Sequence, residues 1–188
     1  MMKFDISNIE VYGRFESVIA SGYPKSTEIR TTGYNKDRAD KLADNPAGTG
    51  HNCFLKGVTI QADITAPQYW WLQWSRYSFS EIVSSQSKMH KITEMEIKGQ
   101  CNNYVDDRAI ELLECIVERY NEGFDSFQRV MANCPMGLML TARITTNYLQ
   151  EKTVYQQRRN HKLEEWQEYC DWLESLPNSE WIIGGGDN

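Results

Sequence analysis

The chain has 188 residues, of which 40% are hydrophobic and 24% are charged. This composition is typical of a globular protein, and the length predicts a single domain over residues 1–180 followed by a flexible tail over residues 181–188. The formal net charge of −6 repels a phosphate backbone, which argues against binding of duplex nucleic acid.

The sequence indicates neither a membrane anchor nor a metal centre. No apolar stretch approaches the roughly 20 residues that a membrane-spanning helix needs, and the N-terminus lacks the apolar region of a signal peptide. The five cysteines form no C-x-x-C pair, which favours neither a disulfide framework nor a zinc site. We therefore expect an unexported, cytoplasmic protein without a membrane partner.

The first third of the chain predicts two strands separated by a long loop. Residues 3–15 alternate apolar and polar side chains, and residues 16–21 are a candidate short helix. Residues 22–50 are rich in Pro, Gly, Asn and Asp, which predicts a loop with one short helix near residues 37–42. Residues 58–65 alternate apolar and polar side chains throughout, which predicts a strand with one buried face.

An aromatic helix is predicted directly after this strand. Ala66-Pro67 can begin it, because proline is tolerated in the first turn of a helix. The aromatic residues of Tyr69–Tyr77 cover almost every face of the predicted helix. We therefore expect this helix to be buried on all sides or to lie in a subunit interface.

The second half of the chain predicts several helices and one further strand. Asp106 and Asp107 lead into a helix with apolar residues at three- and four-residue spacing, which ends near Gly123, and a short helix follows from Asp125. Residues 138–142 alternate as a strand. Helices are then predicted over residues 147–158 and 163–176, the latter ended by Pro177.

Three polar segments could carry chemistry, and each also has an ordinary structural explanation. His51 stands before the strand at residues 58–65, where a histidine often has only a structural hydrogen-bonding role. The Ser-rich residues between Gln73 and Lys88 could hold a phosphate, or they could form common loop structure. The third segment runs from Asn147 to Lys162. Its arginines suit a carboxylate, a phosphate or a pyrimidine carbonyl, or its basic residues could be a solvated helix end.

Taken in order, these segments resemble the flavin-dependent thymidylate synthases, which methylate dUMP with methylene-tetrahydrofolate, NADPH and FAD. In that family a Gly-His pair precedes a central strand that ends in Ala-Pro, and the next helix carries Gln-Trp-x-Arg-His-Arg. Here Gly50-His51, Ala66-Pro67 and Gln73-Trp74-Ser75-Arg76 occur in the same order.

The C-terminal part resembles the same family. Thr145-Thr146-Asn147 is followed by Arg158 eleven residues after the asparagine, as in the family's nucleotide-binding helix. The resemblance covers residues 4–170 and implies an α/β fold with an antiparallel-rich central sheet flanked by helices. It also implies a homotetramer with sites between subunits.

The sequence departs from the family pattern where the flavin should bind. The Arg-His-Arg motif is here Arg76-Tyr77-Ser78, and the family's Ser-x-Arg, which holds the dUMP phosphate, is retained only as Ser87-Lys88. Lysine is a point charge where arginine offers a planar fork. The nucleotide-binding half of the pattern is therefore better preserved than the flavin-binding half.

The resemblance implies roles for eight residues and assigns no catalytic residue and no metal ligand. The residues implied to bind the pyrimidine nucleotide are Gln73, Ser87, Lys88 and Arg158. The residues implied to face the flavin are His51, Arg76, Asn147 and His161.

The resemblance also implies a function. It is methylation of dUMP, or of a related pyrimidine nucleotide at C5, with reduced FAD and methylene-tetrahydrofolate, and with NADPH as reductant. The alternative is a non-catalytic or flavin-free pyrimidine-nucleotide-binding protein on the same scaffold.

Overall fold

The computed structural model describes residues 1–29 and 32–184. The strands are β1 (Asp5–Tyr12), β2 (Thr59–Pro67), β3 (Glu81–Ser85) and β4 (Met139–Asn147). The α-helices are α1 (Arg14–Ala20), α2 (Lys36–Ala43), α3 (Gln68–Trp74), α4 (Lys88–Lys91), α5 (Ile97–Gln100), α6 (Asp107–Asn121), α7 (Phe127–Ala132), α8 (Tyr148–Arg158), α9 (Glu164–Ser175) and α10 (Glu180–Ile183).

The strands form an antiparallel sheet in the order β1-β2-β4-β3. The Oγ1 atoms of Thr65 and Thr141 are 2.7 Å apart, and Arg143 Nη1 donates to Asp63 Oδ1 at 3.2 Å. Each step forward along β2 is thus matched by a step backward along β4. The alternate residues of β2 from Ile60 to Ala66 are fully buried. The α/β fold with an antiparallel sheet flanked by helices, which the resemblance implied, is confirmed.

The chain divides into two compact units, and each strand contributes residues to both. Unit 1 comprises Met1–Ser7, Asp63–Arg76 and Ile82–Arg143. Unit 2 comprises Asn8–Ala62, Tyr77–Glu81 and Ile144–Asn188. That residues 1–180 act as a single domain stays a prediction.

The core of unit 1 is built around α6. Asp106 precedes the helix, and its side chain accepts a hydrogen bond from the backbone N–H of Arg108 at 2.9 Å, which satisfies one of the free donors of the first turn. The predicted apolar stripe packs against the helices α5 and α7 and against Leu138. Its members Ile110, Leu113, Ile116 and Val117 are buried, and Tyr120 is partly buried. Helical periodicity in the sequence predicted the helix and its apolar stripe, but not the elements that cover the stripe.

The core of unit 2 extends further along the chain than predicted. Trp181 and Ile182 are buried in α10, although the sequence predicted a flexible tail from residue 181. Lys152 of α8 is also buried, and its ammonium group donates to the backbone oxygen of Ala43 at 2.7 Å and to that of Gly184. The prediction is therefore wrong for residues 181–183, because two large apolar side chains are better buried than solvated. The tail predicted over residues 185–188 lies outside the described residues.

Two further elements differ from the sequence-based prediction. The aromatic helix α3 is not buried on all sides, because Trp70 and Trp74 are buried but 62% of Leu72 is exposed. Its place in a subunit interface stays a prediction. Strand β3 was missed: all five of its residues are exposed, so its side chains lack the alternation that identifies a half-buried strand. Within residues 1–29 and 32–184, no helix has the length and apolar character needed to span a membrane.

Candidate functional site

Arg158, at the C-terminal end of α8 in unit 2, is held by two aromatic side chains. Its Nε–H donates to the hydroxyl oxygen of Tyr77 at 2.7 Å. The central carbon of its guanidinium group lies 4.7 Å from the ring centre of Trp166 and 5.7 Å from that of Tyr77. Cation–π attraction therefore adds to the hydrogen bond in fixing this charge.

Tyr77 and Trp166 are themselves held in place. The Tyr77 hydroxyl donates to Gln157 Oε1 at 3.1 Å while it accepts from Arg158. The rings of Tyr77 and Trp166 pack edge to face with centres 6.1 Å apart, and both side chains are buried. Burial raises the pKa of Tyr77, although the Arg158 hydrogen bond opposes this. The phenol is therefore neutral near pH 7.

His161 is packed on the same tryptophan. Its ring centre is 6.4 Å from that of Trp166, and its Nδ1 accepts from the backbone N–H of Leu163 at 3.2 Å. Burial, followed by the positive charges of Arg158 and Lys162, lowers the pKa of His161. Near pH 7 the imidazole is therefore neutral, with its proton on Nε2.

Asn147, at the start of α8, borders a small polar cleft in unit 2. Its side-chain oxygen accepts from the backbone N–H of Gln150 at 3.0 Å, so it also caps the helix. The cleft has a volume of about 250 Å³. Its lining residues are polar apart from Phe79, and they are Lys56, Thr59, Ser78, Phe79, Glu81, Thr145, Thr146 and Asn147.

A buried carboxyl group lies behind this cleft. Glu151 is fully buried, and its two oxygens accept from the hydroxyls of Thr146 at 2.7 Å and Tyr169 at 2.9 Å. The Thr146 oxygen is also 3.0 Å from the hydroxyl of Ser80. Burial raises the pKa of Glu151 to about 7, against the effect of both hydrogen bonds. Both protonation states of this carboxyl are therefore present near neutral pH.

Unit 1 contains a second cleft, which is largely apolar and has a volume of about 240 Å³. Its lining residues come from α3, β3 and β4 and from the segments beside them, and they are Gln68, Trp71, Leu72, Ile82, Ser85, Gln86, Met136, Leu140 and Ala142. Lys88 donates from its ammonium group to Gln68 Oε1. One of the predicted nucleotide-binding residues therefore lies at the edge of this cleft, held by a side chain that lines it.

The eight predicted site residues fall into two groups. Gln73, Arg76, Ser87 and Lys88 belong to unit 1, whereas His51, Asn147, Arg158 and His161 belong to unit 2. In unit 2, the structure brings Arg158 and His161 together on Trp166.

The remaining predicted residues lie on surfaces or at helix ends. Gln73 is half-buried near the end of α3, and Arg76 is exposed just beyond it. Ser87 immediately precedes α4, and its backbone oxygen accepts from Lys91 at 3.1 Å. His51 is exposed in the turn before residues 53–57. The roles of all eight residues stay predictions.

Sequence reasoning missed three of the polar residues that shape these sites. Glu151 and Thr146 were not singled out individually, and neither was Gln68. A signal existed for Glu151, because it follows the buried Tyr148 by three residues and precedes the buried Val154 by three residues. A carboxyl on the buried stripe of a helix needs partners inside the protein. No comparable signal identifies Gln68.

Three of the five cysteines are poor nucleophiles. Burial raises the pKa of Cys101 to about 11 and that of Cys170 to about 12, and it also raises the pKa of Cys134. These side chains are therefore thiols near pH 7, and the thiolate is the reactive form. Over the part of the chain that the structure describes, no group of three or more His, Cys, Asp or Glu side chains is arranged to hold a metal ion.

Comparison with known proteins gives a clear result for the fold. No family model matches the sequence, and no curated protein matches it. Solved structures do match along nearly the whole chain. The flavin-dependent thymidylate synthase ThyX from Helicobacter pylori, in complex with FAD and dUMP, is similar with a TM-score of 0.70 at 15% identity, covering 97% of both chains.

A second enzyme has a similar fold. The UMP/dUMP methylase PolB from Streptomyces cacaoi, bound to 5-Br dUMP, matches with a TM-score of 0.70 at 10% identity. The match covers 96% of this chain and 94% of that one. The chain therefore has the fold of these proteins, as the resemblance in sequence had implied.

Proposed function

We propose that this protein binds dUMP or a related pyrimidine nucleotide and methylates it at C5, in the cytoplasm. The observation that carries the proposal is the similarity of fold along nearly the whole chain. It relates this chain to a ThyX crystallised with FAD and dUMP and to a methylase crystallised with 5-Br dUMP. Because one fold can host different functions, the side chains of this chain must supply the rest of the argument.

The positive charges of the chain support nucleotide binding. Arg158 is a guanidinium group fixed by aromatic neighbours, and Lys88 is an ammonium group beside an apolar cleft. Such a cleft suits a flat ring, and a nearby cation suits a phosphate. We assign Arg158, Lys88, Ser87 and Gln73 to the nucleotide, with the site completed between subunits of a homotetramer.

The polar cleft of unit 2 suits part of a flavin cofactor. Lys56, Ser78 and Asn147 offer an ammonium, a hydroxyl and an amide, which fit a pyrophosphate, whereas the carboxylate of Glu81 opposes it. The volume of about 250 Å³ lies below the roughly 300–1,000 Å³ of common ligand sites. The cleft thus fits the phosphate portion of FAD, and His51, Arg76 and His161 are assigned to other parts of it.

When bound, reduced FAD supplies the reducing equivalents, with NADPH as their source and methylene-tetrahydrofolate as the one-carbon donor. The side chains of the protein bind the nucleotide and orient it. Arg158 holds an anionic or carbonyl oxygen of the nucleotide, and neutral His161 offers a hydrogen-bond donor at Nε2. No enzyme cysteine is needed in this scheme.

A flavin-free nucleotide-binding protein is the second candidate function. One observation favours it: Tyr77, which replaces the histidine of the family's Arg-His-Arg motif, is buried and bonded to Arg158 and Gln157. Ser78 also removes a positive charge from the motif. Purified protein that carries flavin absorbance supports the enzyme over this alternative.

Calorimetric titration with dUMP tests nucleotide binding. We expect saturable binding, and we expect Arg158→Ala to weaken it by roughly 1.5–3 kcal/mol, the range for a hydrogen bond to a charged group. Arg159→Ala is the matched control, because Arg159 is the next residue and forms surface ion pairs with Asp171 and Glu174. Equal dissociation constants for the wild type and Arg158→Ala would contradict the assignment of Arg158.

Titration with FAD, followed by flavin fluorescence, separates the two candidates. We expect saturation below about 100 μM, which corresponds to roughly −5.5 kcal/mol, with weaker binding in Lys56→Ala. Absence of saturation in this range would favour the flavin-free alternative.

Light scattering tests the homotetramer. We expect a particle mass of four times the 21.9 kDa of one chain, and the mass of a monomer would contradict the tetramer.

A further inference from the structure

We infer that Tyr77 is a positioning residue for the nucleotide, acting through Arg158. This inference rests on the proposed function, because it takes Arg158 as a nucleotide ligand. It adds a role for a residue that differs from the family motif. In that motif the position faces the flavin, whereas here the tyrosine hydroxyl is bonded to Arg158.

The hydrogen-bond geometry supports this role. The Tyr77 hydroxyl has one proton, and that proton is used in the bond to Gln157 Oε1 at 3.1 Å. The oxygen is then an acceptor for Arg158 Nε–H at 2.7 Å. The Tyr77 hydroxyl thus bridges the side chains of the neighbouring residues Gln157 and Arg158. This bridge fixes the orientation of the Arg158 side chain at the end of α8.

Aromatic packing restricts the guanidinium further. Its central carbon is 4.7 Å from the ring centre of Trp166, while the Trp166 ring packs against Tyr77. An arginine side chain in water loses rotamer entropy when it is fixed. Here Tyr77 and Trp166 restrict the side chain in advance, so less of that entropy is lost on binding.

The pairing also limits how a ligand meets the arginine. Because the Nε–H of Arg158 donates to Tyr77, this donor is already used inside the protein. The phenol keeps its proton near pH 7, since burial raises its pKa. The hydrogen bond from Arg158 to Tyr77 therefore joins a cation to a neutral oxygen, and Tyr77 does not neutralise the positive charge of Arg158.

The test is a double-mutant cycle on dUMP affinity. Tyr77→Phe removes only the hydroxyl and should weaken dUMP binding roughly fivefold to tenfold, as expected for one hydrogen bond. In the Arg158→Ala background the same change should have no further effect. Tyr155→Phe is the matched control, because Tyr155 is on α8 and its hydroxyl donates to Glu174 at 2.7 Å rather than bonding to Arg158.

The possible results are distinct. Unchanged affinity in Tyr77→Phe, or equal losses with and without Arg158, would overturn the positioning role while leaving nucleotide binding intact. A wild-type protein that fails to bind dUMP would overturn both proposals. A melting temperature of Tyr77→Phe close to that of Tyr155→Phe, together with loss of affinity in Tyr77→Phe alone, would show that the effect is not a general loss of stability.

Discussion

The two ends of α8 differ in the burial and the bonding of their ionisable side chains. Near its start, Glu151 is fully buried and both carboxyl oxygens accept hydrogen bonds from hydroxyls inside the protein. At its end, Arg158 is half-buried, and its charge is held by aromatic rings and a phenol. A carboxyl satisfied within the core contributes to stability, whereas a charge fixed near the surface is suited to a ligand.

The largest expected effect is on stability, at the start of the helix. Glu151→Ala removes the acceptor of two buried hydrogen bonds, each of which contributes about 0.5–1.5 kcal/mol, and it leaves a cavity. We expect the free energy of unfolding at pH 6 to fall by about 4 kcal/mol in urea denaturation. Glu118→Ala, on an exposed position of α6, should change it by less than about 0.5 kcal/mol. Similar losses of unfolding free energy in both variants would contradict the claim that Glu151 stabilises the core.

The pH dependence of stability sharpens the same contrast. Burial raises the pKa of Glu151 from 4.5 to about 7, so the folded state binds its proton more tightly than the unfolded state does. The stabilisation is present below pH 4.5 and is lost as the pH rises through 7. The stability of the wild type relative to Glu151→Gln should fall by roughly 3 kcal/mol between pH 4.5 and 8. A constant difference across this range would show that Glu151 does not titrate in the folded protein.

A smaller effect on stability is expected at the C-terminal end of α8. Arg158→Ala loses one hydrogen bond to Tyr77 and the packing on Trp166, so we expect the free energy of unfolding to fall by only about 1 kcal/mol. The same variant should lose most of its dUMP affinity. A stability loss as large as that of Glu151→Ala would mean that Arg158 belongs to the core, and the two ends of α8 would then not differ. Urea denaturation and calorimetry on the same preparation provide both numbers.

Much of the fold could be predicted from local patterns. The strict alternation near Ile60–Ile64 predicted β2, and the spacing around Ile110–Val117 predicted α6. Asn147 and Asp106 stand immediately before their helices and cap them. These features depend on residues within a few positions of one another, so they can be read without knowledge of the rest of the chain.

Where local patterns failed, the missing information was burial. Strand β3 has no buried face in this chain, and Trp181 was assigned to a tail although it is packed against Phe54, with ring centres 5.6 Å apart. Neither result follows from neighbouring residues. The partner of Trp181 is far away in the sequence, and β3, a strand at the edge of the sheet, buries neither of its faces.

The sequence by itself determined the longer periodic elements, such as β2 and α6, and the motifs that resemble a flavin-dependent thymidylate synthase. Only the tertiary structure decided which side chains meet. It paired Tyr77 with Arg158, 81 positions apart, and Glu151 with Tyr169, 18 positions apart. The physical reason is that helix and strand formation follow periodicity over a few residues, whereas a hydrogen bond inside a folded core depends on how separate elements pack.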